Sequence, residues 1–357
     1  MKISILLPSL AGGGVERMSL NLAEDWLRKG HEVEFVLLEN QGELVDKLPS
    51  GASLQNLGSS RLRWAIPGLC RHLKASRPDV ILSRMWPLTV ASAMAWFYAG
   101  CKGRLFLSEH NHLSSERSSI PFLLKLSLRV TYPYASGIIA VSRGVKDDLL
   151  TLTGLADDKI RVIYNPVLRQ RVDAAPRAIR QGNGPKRIIT LGRLVPQKNH
   201  ALLLRALKEL RNTMDVSLTL YGEGPSRQAL ESLVSELGLG ESVALPGYRE
   251  NVDDCFRNAD LFVLSSDHEG FGNVLVEALA HGIPIVSTDC PSGPAEILNH
   301  GEFGTLVRCH DPQELARAMR ESLISRHAPE RLMARANDFT VEKISDEYLD
   351  YFMSVQK

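Results

Sequence analysis

Two loops in the second half of the chain carry charges where phosphate chemistry would need them. Arg193 and Lys198 stand in Leu191-Gly192-Arg193-Leu194-Val195-Pro196-Gln197-Lys198-Asn199, directly after the apolar run 187–192. Two cations in a loop leaving a strand suit a diphosphate. Arginine grips two oxygens at once, and lysine acts as a point charge. The second loop opens Glu269-Gly270-Phe271-Gly272-Asn273-Val274-Leu275-Val276-Glu277-Ala278-Leu279-Ala280, which follows the apolar run 261–265. A helix starting near Gly272 leaves the backbone N–H groups of Gly272, Asn273 and Val274 without helical partners, so they can meet phosphate or sugar oxygens. Glu277 falls inside that helix on an otherwise apolar stretch. A carboxylate is costly to bury there unless it accepts hydrogen bonds, and a ribose diol supplies two donors. The plainer alternative is two solvated loop cations, a solvated Glu269 and a salt-bridged Glu277.

The first half has its own candidates. Gly12-Gly13-Gly14-Val15-Glu16-Arg17 follows the run 2–8. Glycines at a strand-to-helix turn let a ligand approach the backbone, and the helix start favours an anion. The spacing is not G-x-G-x-x-G, so the dinucleotide fingerprint is absent. His110, in Ser108-Glu109-His110-Asn111, closes the run 104–108; a satisfied loop histidine is the competing reading. There is no H-E-x-x-H or D-x-D, and the adjacent Asp253-Asp254 read as solvated loop charges. No metal is expected. The five cysteines, Cys70, Cys101, Cys255, Cys290 and Cys309, are odd in number and widely spaced. That argues against a disulfide framework and for thiols in a reducing compartment.

The elements that must position these residues alternate. Candidate strands at 2–8, 32–38, 80–84, 104–108, 137–142 and 161–164 are followed by 187–192, 216–221, 243–245, 261–265, 283–287 and 304–307. Helical patterns lie between them, the clearest at 15–29, 143–153, 199–212, 225–238, 272–281 and 312–324. Strands apolar throughout and separated by helices imply parallel sheets covered on both faces. Pro176, Pro185, Gly182 and Gly184 punctuate a stretch poor in apolar residues, which marks a linker. The expected α/β architecture is therefore two doubly wound, Rossmann-like domains facing a cleft. The N-terminal domain spans 1–168, the linker 169–185 and the second domain 186–339, with a C-terminal helix over 340–357. A length of 357 residues suits two such domains. Ligands of these sheets bind outside the carboxyl ends of the strands. The net charge of +1 provides no global field for nucleic acid. No apolar run reaches the roughly 18 residues of a membrane span, and Pro8 with the glycine triplet interrupts any signal-peptide reading of the start.

Taken together these motifs resemble the retaining GT-B glycosyltransferases of family 4, over nearly the whole chain. The resemblance rests on the E-x7-E block with Gly282-Ile283-Pro284-Ile285-Val286 behind it, the Gly-Arg-Leu…Lys run, the N-terminal glycine loop and Asn165-Pro166-Val167. It implies a nucleotide-sugar substrate, no cofactor, and roles residue by residue. Arg193 and Lys198 would hold the donor diphosphate, Glu277 the ribose, and Glu269 the hydroxyls of the transferred sugar. Gly272, Asn273 and Val274 would offer backbone amides to sugar and phosphate. Gly13 and Gly14 would close over the diphosphate, and His110 would position the sugar. The last helix would cross back to the first domain.

Asp289-Cys290-Pro291-Ser292-Gly293-Pro294-Ala295-Glu296-Ile297-Leu298 resembles a subset of the family that builds bacterial surface glycans, several with UDP-sugars. That implies a UDP-hexose or UDP-N-acetylhexosamine donor and a glycan or lipid-linked saccharide acceptor. Two acid-free basic stretches, 61–77 and 117–146, suit an anionic inner leaflet, although ordinary helices with solvated Lys and Arg heads match them too. Within 117–146, Lys125 and Arg129 share a helix face. The expected location is the cytoplasm, with peripheral contact at the inner membrane. The competing readings are a GT-B UDP-sugar epimerase, a nicotinamide oxidoreductase on paired Rossmann domains and a non-catalytic scaffold.

Overall fold

The computed structural model describes residues 1–355 apart from 60, 101–102, 116–120 and 174–183. Cys101, Arg117 and the linker residues Pro176 and Gly182 lie outside the described residues. The chain forms two units, Met1–Gln170 with Phe339–Lys357, and Arg171–Asp338.

In the first unit β1 (Lys2–Leu7), β2 (Glu32–Leu37), β3 (Ser53–Asn56), β4 (Val80–Arg84), β5 (Arg104–Glu109), β6 (Gly137–Ala140) and β7 (Ile160–Val162) form one parallel sheet in the order β3-β2-β1-β4-β5-β6-β7. The helices between them are α1 (Gly14–Arg28), α2 (Leu62–Ser76), α3 (Leu88–Ala99), α4 (Phe122–Thr131) and α5 (Arg143–Thr153). Strands β1, β4 and β5 are buried almost from end to end, which is why they read as continuous apolar runs. The sequence reading has no counterpart for β3. Its four residues, Ser53-Leu54-Gln55-Asn56, include one apolar side chain and lie at the sheet edge, so no apolar run announces them.

The second unit repeats the plan with β8 (Lys186–Leu191), β9 (Val216–Tyr221), β10 (Val243–Gly247), β11 (Leu261–Leu264), β12 (Ile285–Thr288) and β13 (Thr305–Val307), ordered β10-β9-β8-β11-β12-β13. Its helices are α6 (His200–Arg211), α7 (Arg227–Glu236), α8 (Val252–Phe256), α9 (Asn273–Ala280), α10 (Pro294–Ile297), α11 (Pro312–Ile324) and α12 (Pro329–Ala336). Asp253 and Asp254 correct their loop assignment: they occupy the first turn of α8, where the helix dipole favours acids. Ile283 and Pro284 precede β12 rather than belong to it.

The final helix, α13 (Val341–Ser354), belongs to the first unit. Its apolar side meets α1 and the sheet: Phe352 stands 4.7 Å from Phe106 and 5.7 Å from Trp26, centroid to centroid. Such tilted aromatic contacts add to the burial itself. Lys29 bonds Asp25 at 2.7 Å and Asp346 at 2.6 Å, tying the two helices at their rim. Part of the expected linker is anchored rather than loose. Leu168 bridges Thr340 in the first unit, and in the second the Val172 N–H donates to Asn337 at 2.9 Å.

In both sheets the order reverses next to the first strand, between β1 and β4 and between β8 and β11. Loops on either side of such a reversal diverge and leave a crevice at the strand ends. Gly13 and Gly14 follow β1, and Arg193, Lys198 and Glu269 lie on the loops after β8 and β11, whereas His110 follows β5, one strand beyond the reversal.

Candidate active site

In the second unit β8 ends at Leu191 and the chain runs through a single turn, Pro196–Lys198, to Asn199, whose side chain caps α6 by accepting from the Leu202 N–H. This loop carries Arg193, which is exposed, and Lys198, whose side chain keeps only 15% of its surface. Across the reversal, β11 is followed by Ser265–Gly272. The two loops are laced together. Gln197 donates to the His268 carbonyl at 2.8 Å, and the Asp267 N–H donates to the Gln197 carbonyl at 2.9 Å. Asn199 donates to Asp267 at 2.7 Å, and the Ser265 hydroxyl to the Lys198 carbonyl at 2.9 Å.

At the centre, Lys198 Nζ bonds Glu269 Oε1 at 2.6 Å, and the Ser266 hydroxyl donates to the same oxygen at 2.6 Å. Glu269 is buried. A buried carboxylate needs such donors, and contacts this close fix the orientation of both groups. The sequence places Lys198 and Glu269 in separate motifs with separate tasks; the fold joins them. Glu277 sits in the middle of α9 and is half-buried. The helix begins after Gly272, whose φ of 100° is a left-handed conformation that glycine adopts without strain. The amides at this helix start therefore point toward the Lys198–Glu269 pair's end of the sheet.

Two segments that position the site were read in the sequence differently or not at all. The stretch around Pro291 is a buttress. Its carbonyl accepts from the Glu269 N–H at 3.2 Å, and a side chain on Gly293 would come within 1.8 Å of the Phe271 carbonyl oxygen. Gly293, at φ 85°, allows the close approach that fixes Glu269 and Phe271. Cys290 beside it is buried, and that burial pushes its thiol up, so it is a packing residue rather than a nucleophile. Gly222-Glu223-Gly224 supports the other loop: the Gly192 N–H donates to the Tyr221 carbonyl at 3.0 Å and the Leu194 N–H to the Glu223 carbonyl at 2.8 Å. Glycines following an apolar strand were the available signal for that support.

In the first unit Gly13 caps α1 and Gly14 is its first residue. The Glu16 carboxylate folds back over the cap, so close that a side chain on Gly13 would lie 2.4 Å from it. His110 follows β5. It is buried, its Nε2 lies 3.0 Å from the Ser108 hydroxyl, and its Nδ1 has no hydrogen-bond partner among the described residues. Burial first, and then the Arg84 charge, hold it well below the usual histidine range, so the ring is neutral. The sequence reading passed over Arg84. It ends β4 at full burial, stands 5.6 Å from the Tyr348 ring centroid, and none of its guanidinium nitrogens has a hydrogen-bond partner among the described residues. Glu109, between Ser108 and His110, turns to the opposite face, where it accepts from Thr89 at 2.9 Å and from the Trp86 N–H at 3.1 Å. Among the described residues no group of three or more His, Cys, Asp or Glu is arranged to hold a metal ion.

Residues 12–171 match the family model described as Glycosyltransferase Family 4, and residues 172–339 match Glycosyl transferases group 1. A Campylobacter jejuni protein is 28% identical over 99% of both chains. It is called N-acetylgalactosamine-N,N'-diacetylbacillosaminyl-diphospho-undecaprenol 4-alpha-N-acetylgalactosaminyltransferase. A second protein of that organism, an alpha-1,4-N-acetyl-D-galactosaminyltransferase whose name includes a PP-undecaprenol saccharide, is 26% identical over 100% of this chain and 99% of its own. The crystal structure of Anabaena Alr3699/HepE in complex with UDP superposes with a TM-score of 0.81 at 23% identity, covering 99% of this chain and 100% of that one. The two family matches abut and together run from residue 12 to 339, well over half the sequence, so the chain belongs to the GT-B glycosyltransferases.

Proposed function

We propose that the protein moves a hexosyl or N-acetylhexosaminyl group from a UDP-sugar to a saccharide carried on a lipid diphosphate, with retention of anomeric configuration. The observation that carries the reading is the Lys198–Glu269 contact at 2.6 Å, set at the strand ends with Arg193 exposed on the same loop. A diphosphate arriving there competes with Glu269 for Lys198 and draws on Arg193. Glu269 is then released to accept from sugar hydroxyls. The UDP donor is supported by the UDP bound in the Anabaena complex, and the acceptor class by the undecaprenol names of the two relatives.

Cleaving the anomeric bond leaves an oxocarbenium-like sugar and a nucleoside diphosphate. Arg193, Lys198 and the amides of Gly272, Asn273 and Val274 stabilise the anion, which is the largest single contribution available to such a site. Glu277 accepts from the ribose hydroxyls. Gly13 and Gly14 offer backbone amides to the diphosphate. His110, being neutral, positions the sugar by a hydrogen bond rather than by charge. A leaving phosphate oxygen takes the acceptor proton on the face it has just left, which gives retention. Fixed cations supply what a metal ion would, so no metal or cofactor is required. Turnover is expected to survive EDTA; loss in chelator with recovery on adding magnesium would refute that part. The lipid acceptor places the protein at the cytoplasmic face of an anionic membrane, as a peripheral protein.

Thermal melting with saturating UDP, GDP, ADP and NAD tests the donor. A ligand of the native state raises the melting temperature according to RT ln(1 + [L]/Kd). A rise with UDP that is lost in Glu277→Ala is expected. A rise with GDP or ADP alone would reassign the base, and a rise with NAD alone would overturn the reading. Product analysis separates transfer from epimerisation: a UDP-sugar epimerase forms a new UDP-sugar without an acceptor, and an inert scaffold forms nothing.

A further inference from the structure

Helices α2, α3 and α4 build a face of the first unit that the candidate site does not use. Helix α3, Leu88-Thr89-Val90-Ala91-Ser92-Ala93-Met94-Ala95-Trp96-Phe97-Tyr98-Ala99, contains no charged residue. A helix without a charged face is normally enclosed on all sides. This one exposes 61% of Phe97 and 65% of Tyr98 to solvent. On α4, Phe122 and Leu123 are each 75% exposed, and on α2 Trp64 is 65% exposed. Between the three helices runs a groove of about 380 Å³, lined by Leu62, Ile66, Trp86, Val90, Met94 and Leu124 among others. That volume lies within the range of small-molecule sites.

The groove has a direction. At one end are Trp86 and Pro87, immediately after β4, and the Trp86 N–H donates to Glu109, the residue before His110. At the other end are Met94 and then the exposed Phe97 and Tyr98. It therefore leads away from the strand ends, where the chemistry is proposed, along an apolar helix. Its charges are basic: Arg63 lines it, Arg61, Arg71 and Lys74 are exposed at or on α2, Lys125 on α4 is half-buried, and 61–77, 85–100 and 121–136 contain no acid.

We infer that this groove holds the start of the hydrocarbon tail of the acceptor lipid, with the basic flanks against its diphosphate and an anionic bilayer surface. The inference rests on the lipid-linked acceptor proposed above. An apolar chain long enough to follow α3 fits the lining, and cations with no interspersed acids fit anionic headgroups. A second copy of this chain fits less well, because a two-fold contact through this face would set like charges against one another.

The test compares two acceptors in the full-length protein: one saccharide diphosphate carried on a long isoprenoid, and the same saccharide diphosphate on a short water-soluble alkyl group. Val90→Trp and Met94→Trp fill the groove at two points. The expected result is a rise of about tenfold in KM for the long-tailed acceptor, the loss of a few buried carbons, with kcat and the short-acceptor KM unchanged. Melting temperatures establish that each variant is folded. Should Val90→Trp fail to fold, Met94→Trp, at a partly exposed position, carries the test alone. Folded variants with an unaltered long-to-short KM ratio overturn the inference, as does a native enzyme indifferent to tail length. A concentration-dependent dimer abolished by Phe122→Asp, without tail dependence, also overturns it in favour of a second copy. If the native protein glycosylates neither acceptor, it is the acceptor reading that fails.

Discussion

The two sheets share one strand order around their reversal points, yet they hold their buried cations in different ways. In the second unit the cation Lys198 meets its carboxylate at 2.6 Å, and both sit in a mesh of loop hydrogen bonds. In the first unit the fully buried Arg84 has a ring face and no hydrogen-bonded carboxylate among the described residues. A close ion pair stores a charge at modest net cost, whereas a lone buried guanidinium costs several kcal/mol. The same topology therefore supplies two kinds of tool. One is a paired charge that exchanges partners with a ligand. The other is a fixed cation that conditions its surroundings, chiefly His110.

The sharpest way to break that comparison is to remove the paired charge. Lys198→Met takes a cation from the leaving group and strands the buried Glu269. We expect kcat to fall by about 10²–10³-fold, the scale of losing one preorganised stabilising group. UDP release in the presence of donor and acceptor measures it. Adding Glu269→Gln in the same chain should restore stability without restoring turnover, since the amide no longer leaves an unpaired charge. Recovery of turnover in the double variant would show that the pair serves folding alone.

A smaller effect lies just behind Lys198. His200 opens α6 and is buried. Burial, then the Lys198 charge, push it down to about 4. A depressed histidine contributes stability that is present above its unfolded value, near 6.5, and lost as the pH falls toward 4, because the unfolded chain takes up the proton first. The loss by pH 4 is on the order of 3 kcal/mol. His200→Leu should flatten the urea-unfolding free energy between pH 6.5 and 4 by that amount. An unchanged slope would place the acid sensitivity elsewhere.

How much of this was legible in the sequence follows from what each feature depends on. Strands such as β1 and β4 are buried on both faces, so their burial is written in consecutive residues. The edge strand β3 depends on pairing with β2, a partner distant in sequence, and shows nothing locally. Gly272, Asn273 and Glu277 announced themselves by spacing along one turn and helix. The Lys198–Glu269 contact did not, because the two residues are brought together by neighbouring strands that are far apart in the chain. Arg84 stayed hidden for a related reason. At the end of an apolar run an arginine reads as the point where a strand meets solvent, and the Tyr348 ring that α13 sets beside the guanidinium comes from the far end of the chain. Gly293 was noticed for its family resemblance, whereas its physical task, the approach to Phe271, needs coordinates.

The smallest effect sharpens the other side of the comparison. If Arg84 is a conditioning charge, Arg84→Met should leave the fold intact or slightly stabilised, since replacing an unpaired buried ion with an apolar side chain of similar length removes a desolvation cost. Its consequence should appear at His110. Burial still disfavours the imidazolium, but the repulsion from the guanidinium is gone, so the ring accepts a proton at a higher pH than in the native protein. The acid limb of the kcat/KM profile should then move to higher pH, with the plateau above neutrality nearly unchanged. His110→Gln, which cannot titrate, should abolish the shift when combined with Arg84→Met. An acid limb that stays in place in a folded Arg84→Met protein would show that burial alone keeps His110 neutral, and the two crevices would then differ in charge without differing in task.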